Sequence, residues 1–376
     1  MRISRPWLCA IVLLTAASPA AAQLPSPLDG AGRYAFPGSL PGPASAVSAG
    51  LGLSDRWLGE EPFDNPAAAP ARGVMLAPVL QRVKRQDLPS DFRNYVETGG
   101  FLDVAGGWLS LPVRGLGIAL YAYEPVLRRE EESFTSRPEQ GPPGAFTIAG
   151  TSRELRAGLA LSHAWRAARL GAALEWTRRD DAYDFTEVSG NPLAGAHHAE
   201  FSGDGLGFQA GARVTVAPRL TLGGALRYVP ALDLTGERTG PTLATAQPVS
   251  ATREAGWEGG LSARCAVTEA FRLLASLGGR TAQAWDGFGV TSSRAVGWAV
   301  GFDYDQAEVP WIPRASVGRE QQDGMPEPAA GVLGLGLGWK LDALRLDLGA
   351  LRRSIQRPGK ATSYDDRVVV GATVGF

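Results

Sequence analysis

Cysteine is scarce in this sequence, with two residues, Cys9 and Cys265, among 376. Cys9 lies within residues 1–22, where a basic start, a short apolar run and a small-residue end predict a signal peptide cleaved after Ala22. On that expectation the mature chain has 376 − 22 = 354 residues and one cysteine. An internal disulfide is therefore excluded for this exported protein.

Long apolar runs are also missing. No stretch of 18 or more apolar residues follows the predicted signal peptide, which excludes a transmembrane helix. Loss of Arg2 and Arg5 with the signal peptide changes the formal net charge from −1 to −3, so the charge balance gives no support to nucleic-acid binding. Two classes of exported protein remain, the soluble periplasmic protein and the β-barrel.

Histidine occurs only three times, at His163, His197 and His198. A serine–histidine catalytic pair needs a histidine that faces the active site, and the strand pattern places His163 with Leu159 and Leu161 toward lipid. His197 and His198 are adjacent in an expected external loop, where histidines are more often solvated than bound to a metal. We therefore predict no enzyme activity, no catalytic residue, no metal site and no cofactor.

The C-terminal residues alternate in polarity. From Arg367 the chain reads RVVVGATVGF, which places Val368, Val370 and Val374 on one face together with the terminal Phe376. A terminal amphipathic strand that ends on an aromatic residue is typical of bacterial outer-membrane barrels. It predicts Phe376 as the insertion signal that the barrel-assembly machinery recognises. The inserted barrel would then be in contact with outer-membrane lipid and lipopolysaccharide.

The same alternation recurs along the chain and predicts an all-β fold. Apolar positions alternate with Gly, Ser, Thr and charged positions, as in a barrel whose outer face meets lipid and whose inner face lines a lumen. The predicted class is a transmembrane antiparallel β-barrel of about 14 strands over residues 71–376. The predicted strands are 71–84, 95–111, 114–130, 144–165, 168–187, 198–217, 219–238, 249–267, 270–288, 293–305, 310–320, 329–341, 343–356 and 362–376.

Residues 23–70 do not alternate and are rich in Pro, Gly and Ala. A flexible linker is one interpretation. A hatch or plug inside the lumen is the other, because a barrel of fourteen strands encloses more space than its own inward side chains fill.

Several motifs, in order, resemble one family. GAGRYA at 30–35, with Arg33, is similar to the start of the mature chain in FadL-type long-chain fatty-acid transporters, and FDNPA at 63–67 resembles their Asn-Pro-Ala hatch motif. PRLTLG at 218–223, AWDGF at 284–288 and PRASVG at 313–318 resemble later strands of that family. The resemblance implies a fourteen-stranded barrel, blocked by an N-terminal hatch, that carries hydrophobic molecules inward.

The resemblance also implies candidate gating residues. Arg33, Asn65 and Pro66 become hatch candidates, since Asn bonds neighbouring backbone and Pro fixes the chain. Pro125 lies in the third predicted strand, where the family releases substrate through a kink in the wall, and a proline inside a strand requires a bulge or an edge. A rim proline above the membrane is the alternative interpretation.

The implied function is passive uptake of hydrophobic small molecules, either long-chain fatty acids or aromatic hydrocarbons, across the outer membrane. A barrel that acts as a scaffold or docking partner in secretion or envelope assembly is the alternative. A lumen filled by polar pairs, without an apolar pocket, would favour the scaffold. A general polar porin is the third possibility, and the N-terminal segment argues against it because an open pore needs no hatch.

Overall fold

The computed structural model describes residues 45–58, 61–68, 73–85, 96–97, 101–136, 144–188, 195–240, 243, 245–286, 290–292, 294–322, 329–356 and 363–375. These residues form one short helix, α1 (Ala46–Leu51), and one antiparallel sheet. No helix among them is long and apolar enough to cross a membrane. The predicted signal peptide, Arg33 and Phe376 lie outside the described residues.

The sheet has fourteen strands, as the alternation predicted. Five of them are described as two segments each. The strands are β1 (Gly73–Arg85), β2 (Val96–Glu97 and Phe101–Val113), β3 (Leu116–Ser136), β4 (Gly144–Trp165), β5 (Ala168–Val188), β6 (Ala196–Ala217), β7 (Leu220–Val229 and Leu232–Thr239), β8 (Gln247–Arg253 and Gly256–Ala266), β9 (Phe271–Arg280 and Gln283–Asp286), β10 (Val290–Ser292 and Ala295–Tyr304), β11 (Trp311–Gln322), β12 (Ala329–Leu341), β13 (Leu344–Gln356) and β14 (Ser363–Gly375).

The sheet closes on itself. Each strand pairs with the next along the chain, and β1 pairs antiparallel with β14 from Gly73↔Gly375 to Lys84↔Tyr364. Closure leaves no free edge strand at this seam, which is what permits a sheet to stand in a membrane. The predicted β-barrel class is confirmed.

Large apolar side chains cover the outside of the barrel. Every strand carries at least one that is 45% to 75% exposed. This exterior is the lipid-facing band of a multi-pass outer-membrane barrel. One such residue from each strand, in order, is Leu76, Leu102, Leu120, Leu159, Leu174, Leu206, Leu226, Leu261, Leu277, Val300, Val317, Leu335, Leu348 and Val370.

Tight turns connect strands at one end, which we call the periplasmic end because short turns lie there in such barrels. Arg114, Arg166 and Asp342 occupy these turns with positive φ angles of 49°, 54° and 46°. The predicted strands 95–111 and 114–130 place a turn at 112–113. The turn lies two residues later, because β2 continues through Pro112, which pairs with Gly117. Strand β3 is longer than predicted and continues to Ser136.

Candidate functional site

Residues 45–58 and 61–68 lie inside the barrel and are buried almost throughout; we call them the hatch. The hatch begins at Ser45, the N-cap of α1, whose side chain accepts from the Ser48 amide at 3.1 Å. The Ser48 hydroxyl oxygen in turn accepts from the Ser45 amide at 3.1 Å, which completes a capping box. Phe63 and Leu58 are fully buried, so this segment forms a plug rather than a linker.

Glycines of the wall make room for the hatch. A Cβ added at Gly211 would overlap Asn65 Oδ1, and one at Gly171 would overlap the Pro66 backbone. Trp57 packs in the same way against Gly260 and Gly278. The hatch therefore rests on bare backbone along the inner face of the barrel.

Asn65 binds both the hatch and the wall. Its Nδ2 donates to the Trp57 carbonyl at 2.7 Å and to the carbonyls of Ala212 and Gly224 at 3.2 and 3.3 Å. Its Oδ1 accepts from the Ala67 amide at 2.9 Å, and the side chain is fully buried. The structure thus brings Asn65 and Pro66 to the wall at β5–β7, and their role as hinge or anchor stays a prediction.

Glu61 places an acidic group inside the hatch. Burial raises its pKa well above the ordinary value, and the nearby carboxylates of Asp64 and Asp55 add to this shift. A hydrogen bond with Ser45 and the charge of Arg345 oppose the shift without cancelling it. The docked hatch therefore favours the protonated form of Glu61.

Docking of the hatch should weaken as the pH rises from the ordinary glutamate range, about 4.3, toward the raised pKa of Glu61. The sign follows because ionisation is easier once the hatch leaves the lumen. Amide exchange over residues 45–68, divided by intrinsic rates, should be faster at pH 8 than at pH 5. Glu61→Gln should reduce this dependence, whereas Glu200→Gln, at an exposed carboxylate, should leave it unchanged. Equal pH dependence in all three proteins would contradict the assignment.

A layer of buried ion pairs lies on the extracellular side of the hatch. This order is visible along β7, where Gly223 contacts the hatch and Arg227 belongs to the ion pairs. Arg227 is the further of the two from the periplasmic turn. The layer draws on β4, β5, β7 and β8, and all its side chains are at most 8% exposed. We call this set the polar layer: Glu154, Arg156, Glu175, Arg179, Asp181, Arg227, Arg253 and Glu258.

The contacts in the polar layer are short and shared. Arg156 donates to Glu258 at 2.9 and 3.1 Å and to Glu154 at 2.8 Å. Glu154 also accepts from Arg253 at 2.6 Å. Buried charges of this kind persist only when they are paired and hydrogen-bonded. Glu154 has three cationic neighbours and Glu258 has two.

Arg227 joins the polar layer to the hatch. Its guanidinium donates to Glu175 at 2.7 Å, to Glu258 at 3.3 Å and to the Phe63 carbonyl. The Phe63 ring stacks on Tyr123 with centroids 5.3 Å apart. Hatch, aromatic rings and ion pairs therefore form one continuous filling across the lumen.

The wall is interrupted beside this filling. Strands β2 and β3 pair from Val113↔Leu116 up to Gly106↔Tyr123, and no pairing between them is present above that point among the described residues. On its other side β3 stays paired with β4, but the register shifts between Tyr123 and Val126, so β3 carries one extra residue there. Residues 101–105 of β2 and 124–136 of β3 define what we call the wall gap.

Pro125 lies within this bulge, between Tyr123 and Val126. A proline has no amide to donate, so a bulge is one of the few strand positions that accept it. The structure therefore places Pro125 at a break in the wall, as the sequence suggested for a kink, and its role in release stays a prediction.

The histidines lie away from the hatch. His163 is on the exposed face of β4, as predicted. His197 and His198 lie in strand β6 rather than in a loop, and His198 Nδ1 is 2.7 Å from Asp184 Oδ1. Within the described ranges, no group of three or more His, Cys, Asp or Glu residues could hold a metal ion.

No protein-family model and no curated protein matches the sequence. Solved structures do match the fold. A FadL homologue of Pseudomonas aeruginosa is 18% identical, with a TM-score of 0.61 over 90% of this chain and 99% of that one. The chain has the FadL-type barrel fold. The toluene transporter TodX of P. putida is 13% identical (TM-score 0.60; 90% and 99% covered), and TbuX of Ralstonia pickettii is 12% identical (0.61; 88% and 98%).

The sequence did not reveal the polar layer of this FadL-type barrel. The only signal of this layer in the sequence is a pair of opposite charges two residues apart on the inward face of one strand, as in Glu154/Arg156 and Arg179/Asp181. Alternation alone does not predict an ion-pair network from such pairs, since their long-range partners depend on the register of distant strands.

Proposed function

We propose that this chain is a passive outer-membrane channel for hydrophobic small molecules, gated by the hatch. The proposal draws on the FadL-type fold and on the structural neighbours, which include toluene transporters and a monoaromatic hydrocarbon channel. Whether the cargo is an aromatic hydrocarbon or a long-chain fatty acid is part of the test below.

The wall gap is the observation that carries this proposal. An apolar molecule cannot cross the polar layer along the barrel axis without separating buried ion pairs, which costs several kcal/mol for each ion. The wall gap opens beside that layer toward lipid, where an apolar molecule gains about 25 cal/mol per Å² of surface removed from water. Cargo would therefore enter from outside and leave sideways at Pro125. Asn65 and Pro66 would hold the hatch closed beneath the wall gap.

The polar layer also favours a second function. A lumen filled by ion pairs is what we expect of a barrel that serves as a scaffold or docking partner in the envelope. An open apolar depression of about 560 Å³ lies on the outer, lipid-facing side of the wall, over Ala212, Gly224, Leu226 and Leu261. Under this alternative the barrel would insert normally and carry nothing.

Uptake by whole cells separates the two functions. Cells that carry the intact chain should accumulate toluene or oleate faster than cells without it, and deletion of residues 23–70 should change selectivity or add leak. Correct insertion without uptake of either compound would leave the scaffold as the better account.

Deletion of Pro125 tests the sideways route. It removes the extra residue of the bulge, so β3 can pair regularly with β4, and we expect uptake to fall to near the background of cells without the barrel. Pro112→Ala is the control, because Pro112 lies where β2 and β3 remain paired. Unchanged uptake after the deletion would rule out release at this position.

A further inference from the structure

Three ionisable side chains meet at the wall gap. Asp103 comes from β2, Glu124 from the bulge of β3 and Arg153 from the lipid-facing side of β4. Arg153 donates to Glu124 Oε1, and its NH2 group lies 4.0 Å from Asp103 Oδ1. The Asp103 and Arg153 side chains are 32% and 47% exposed, while that of Glu124 is only 3% exposed.

Glu124 has one oxygen that this cluster does not use. Its Oε2 is buried and accepts no hydrogen bond from any residue that the structure describes. Buried polar atoms in native proteins almost always have a partner, and a carboxylate oxygen accepts hydrogen bonds. An acceptor without a partner, beside an opening in the wall, points to a ligand that brings a donor.

The charge of the cluster further restricts the chemical class of the ligand. Two carboxylates face one guanidinium, which gives a formal charge of −1, and the guanidinium is already engaged by Glu124. The carboxylate of a ligand would be the third at this position and would meet like charge at short range and low dielectric, which is unfavourable. A hydrocarbon would leave Oε2 unsatisfied.

We propose that Asp103, Glu124 and Arg153 form a specificity site for apolar molecules that carry an uncharged hydrogen-bond donor, such as phenols and aliphatic alcohols. The site selects them over plain hydrocarbons and over carboxylates. As a selector of transported cargo it rests on the proposed function. As a binding site it does not.

The test uses three probes that share a propylphenyl group and differ in the substituent opposite to it: 4-propylphenol, propylbenzene and 4-propylbenzoate. Uptake of each is measured in cells with the intact chain, with Glu124→Gln and with Glu200→Gln, an exposed carboxylate that serves as the control. Dividing phenol uptake by propylbenzene uptake cancels differences in expression. The amide keeps the shape of the side chain and loses the charge, so this ratio should fall about tenfold in Glu124→Gln, as expected for a hydrogen bond to a charged group. It should stay constant in the control.

Binding by the full-length protein in lipid vesicles, with protein-free vesicles as the blank, separates the two proposals. Binding of 4-propylphenol that depends on Glu124, without uptake of any probe, would contradict the proposed channel and support the proposed site. The site would be overturned, and the channel kept, by uptake of all three probes with a ratio that Glu124→Gln does not change, together with equal binding of 4-propylphenol to the natural protein and to Glu124→Gln. Preference for 4-propylbenzoate would also overturn it.

Discussion

Gly211→Ala should release the hatch while the barrel stays folded. The added methyl group would overlap Asn65 Oδ1, and the backbone of β6 cannot move away, because it is paired on both sides. Overpacking of this kind costs about 1–3 kcal/mol, equivalent to roughly a ten- to hundredfold change in an equilibrium constant. Hydrogen exchange over residues 45–68 should therefore accelerate by that factor, and heat-modifiable migration should show a folded barrel.

Gly331→Ala is the matched control for this substitution. It also adds a methyl group to a barrel glycine, but nothing lies within 4 Å of the new atom. Exchange over the hatch should remain as in the natural protein. Equal exchange in the two variants would mean that the hatch does not depend on contact with β6.

Arg227→Met should destabilise the whole protein by about 3–5 kcal/mol, the range for removing one partner of a buried ion pair. The substitution leaves Glu175 and Glu258 without one of their cations and removes the donor to the Phe63 carbonyl. Urea unfolding in lipid vesicles, followed by tryptophan fluorescence, measures the change in the free energy of unfolding.

Two further variants interpret that result. Arg178→Met removes an arginine that pairs with Asp180 at an exposed position, so it should change stability little. Arg227→Met combined with Glu175→Gln should recover part of the loss, since the orphaned charge is gone. If Arg178→Met and Arg227→Met were equally mild, the polar layer would not support the fold.

The sequence predicted the strands well because alternation reports directly on which side of a wall each residue faces. Leu206 and Phe208 are exposed as expected, and Val369, on the opposite face of β14 from Val368, is fully buried. The capture of Asn65 by the wall was harder to predict. Its acceptors Ala212 and Gly224 lie 147 and 159 residues away, and only the register of β6 against β7 brings them together.

The ion pairs and the wall gap were out of reach for a similar reason. Glu154 meets Arg253 across 99 residues of sequence. Pro125 marked a disturbance in β3, but the gap also requires that β2 stop pairing above Gly106, which no local pattern encodes. Local propensity determines the strands, and closure of the barrel determines the site.

The hatch is attached to the barrel by very little chain. Ala68 ends its described part and Gly73 begins β1, so five residue steps join them. Fully extended, five steps reach about 17–18 Å, roughly half the thickness of a membrane with its headgroups. Ala68 therefore stays within about 18 Å of Gly73, at the β1–β14 seam, and the hatch stays tethered to the barrel at this end. Since this connection restrains only the Ala68 end, we expect the larger displacement on opening at the opposite end of the hatch, where α1 lies against β12, β13 and β14.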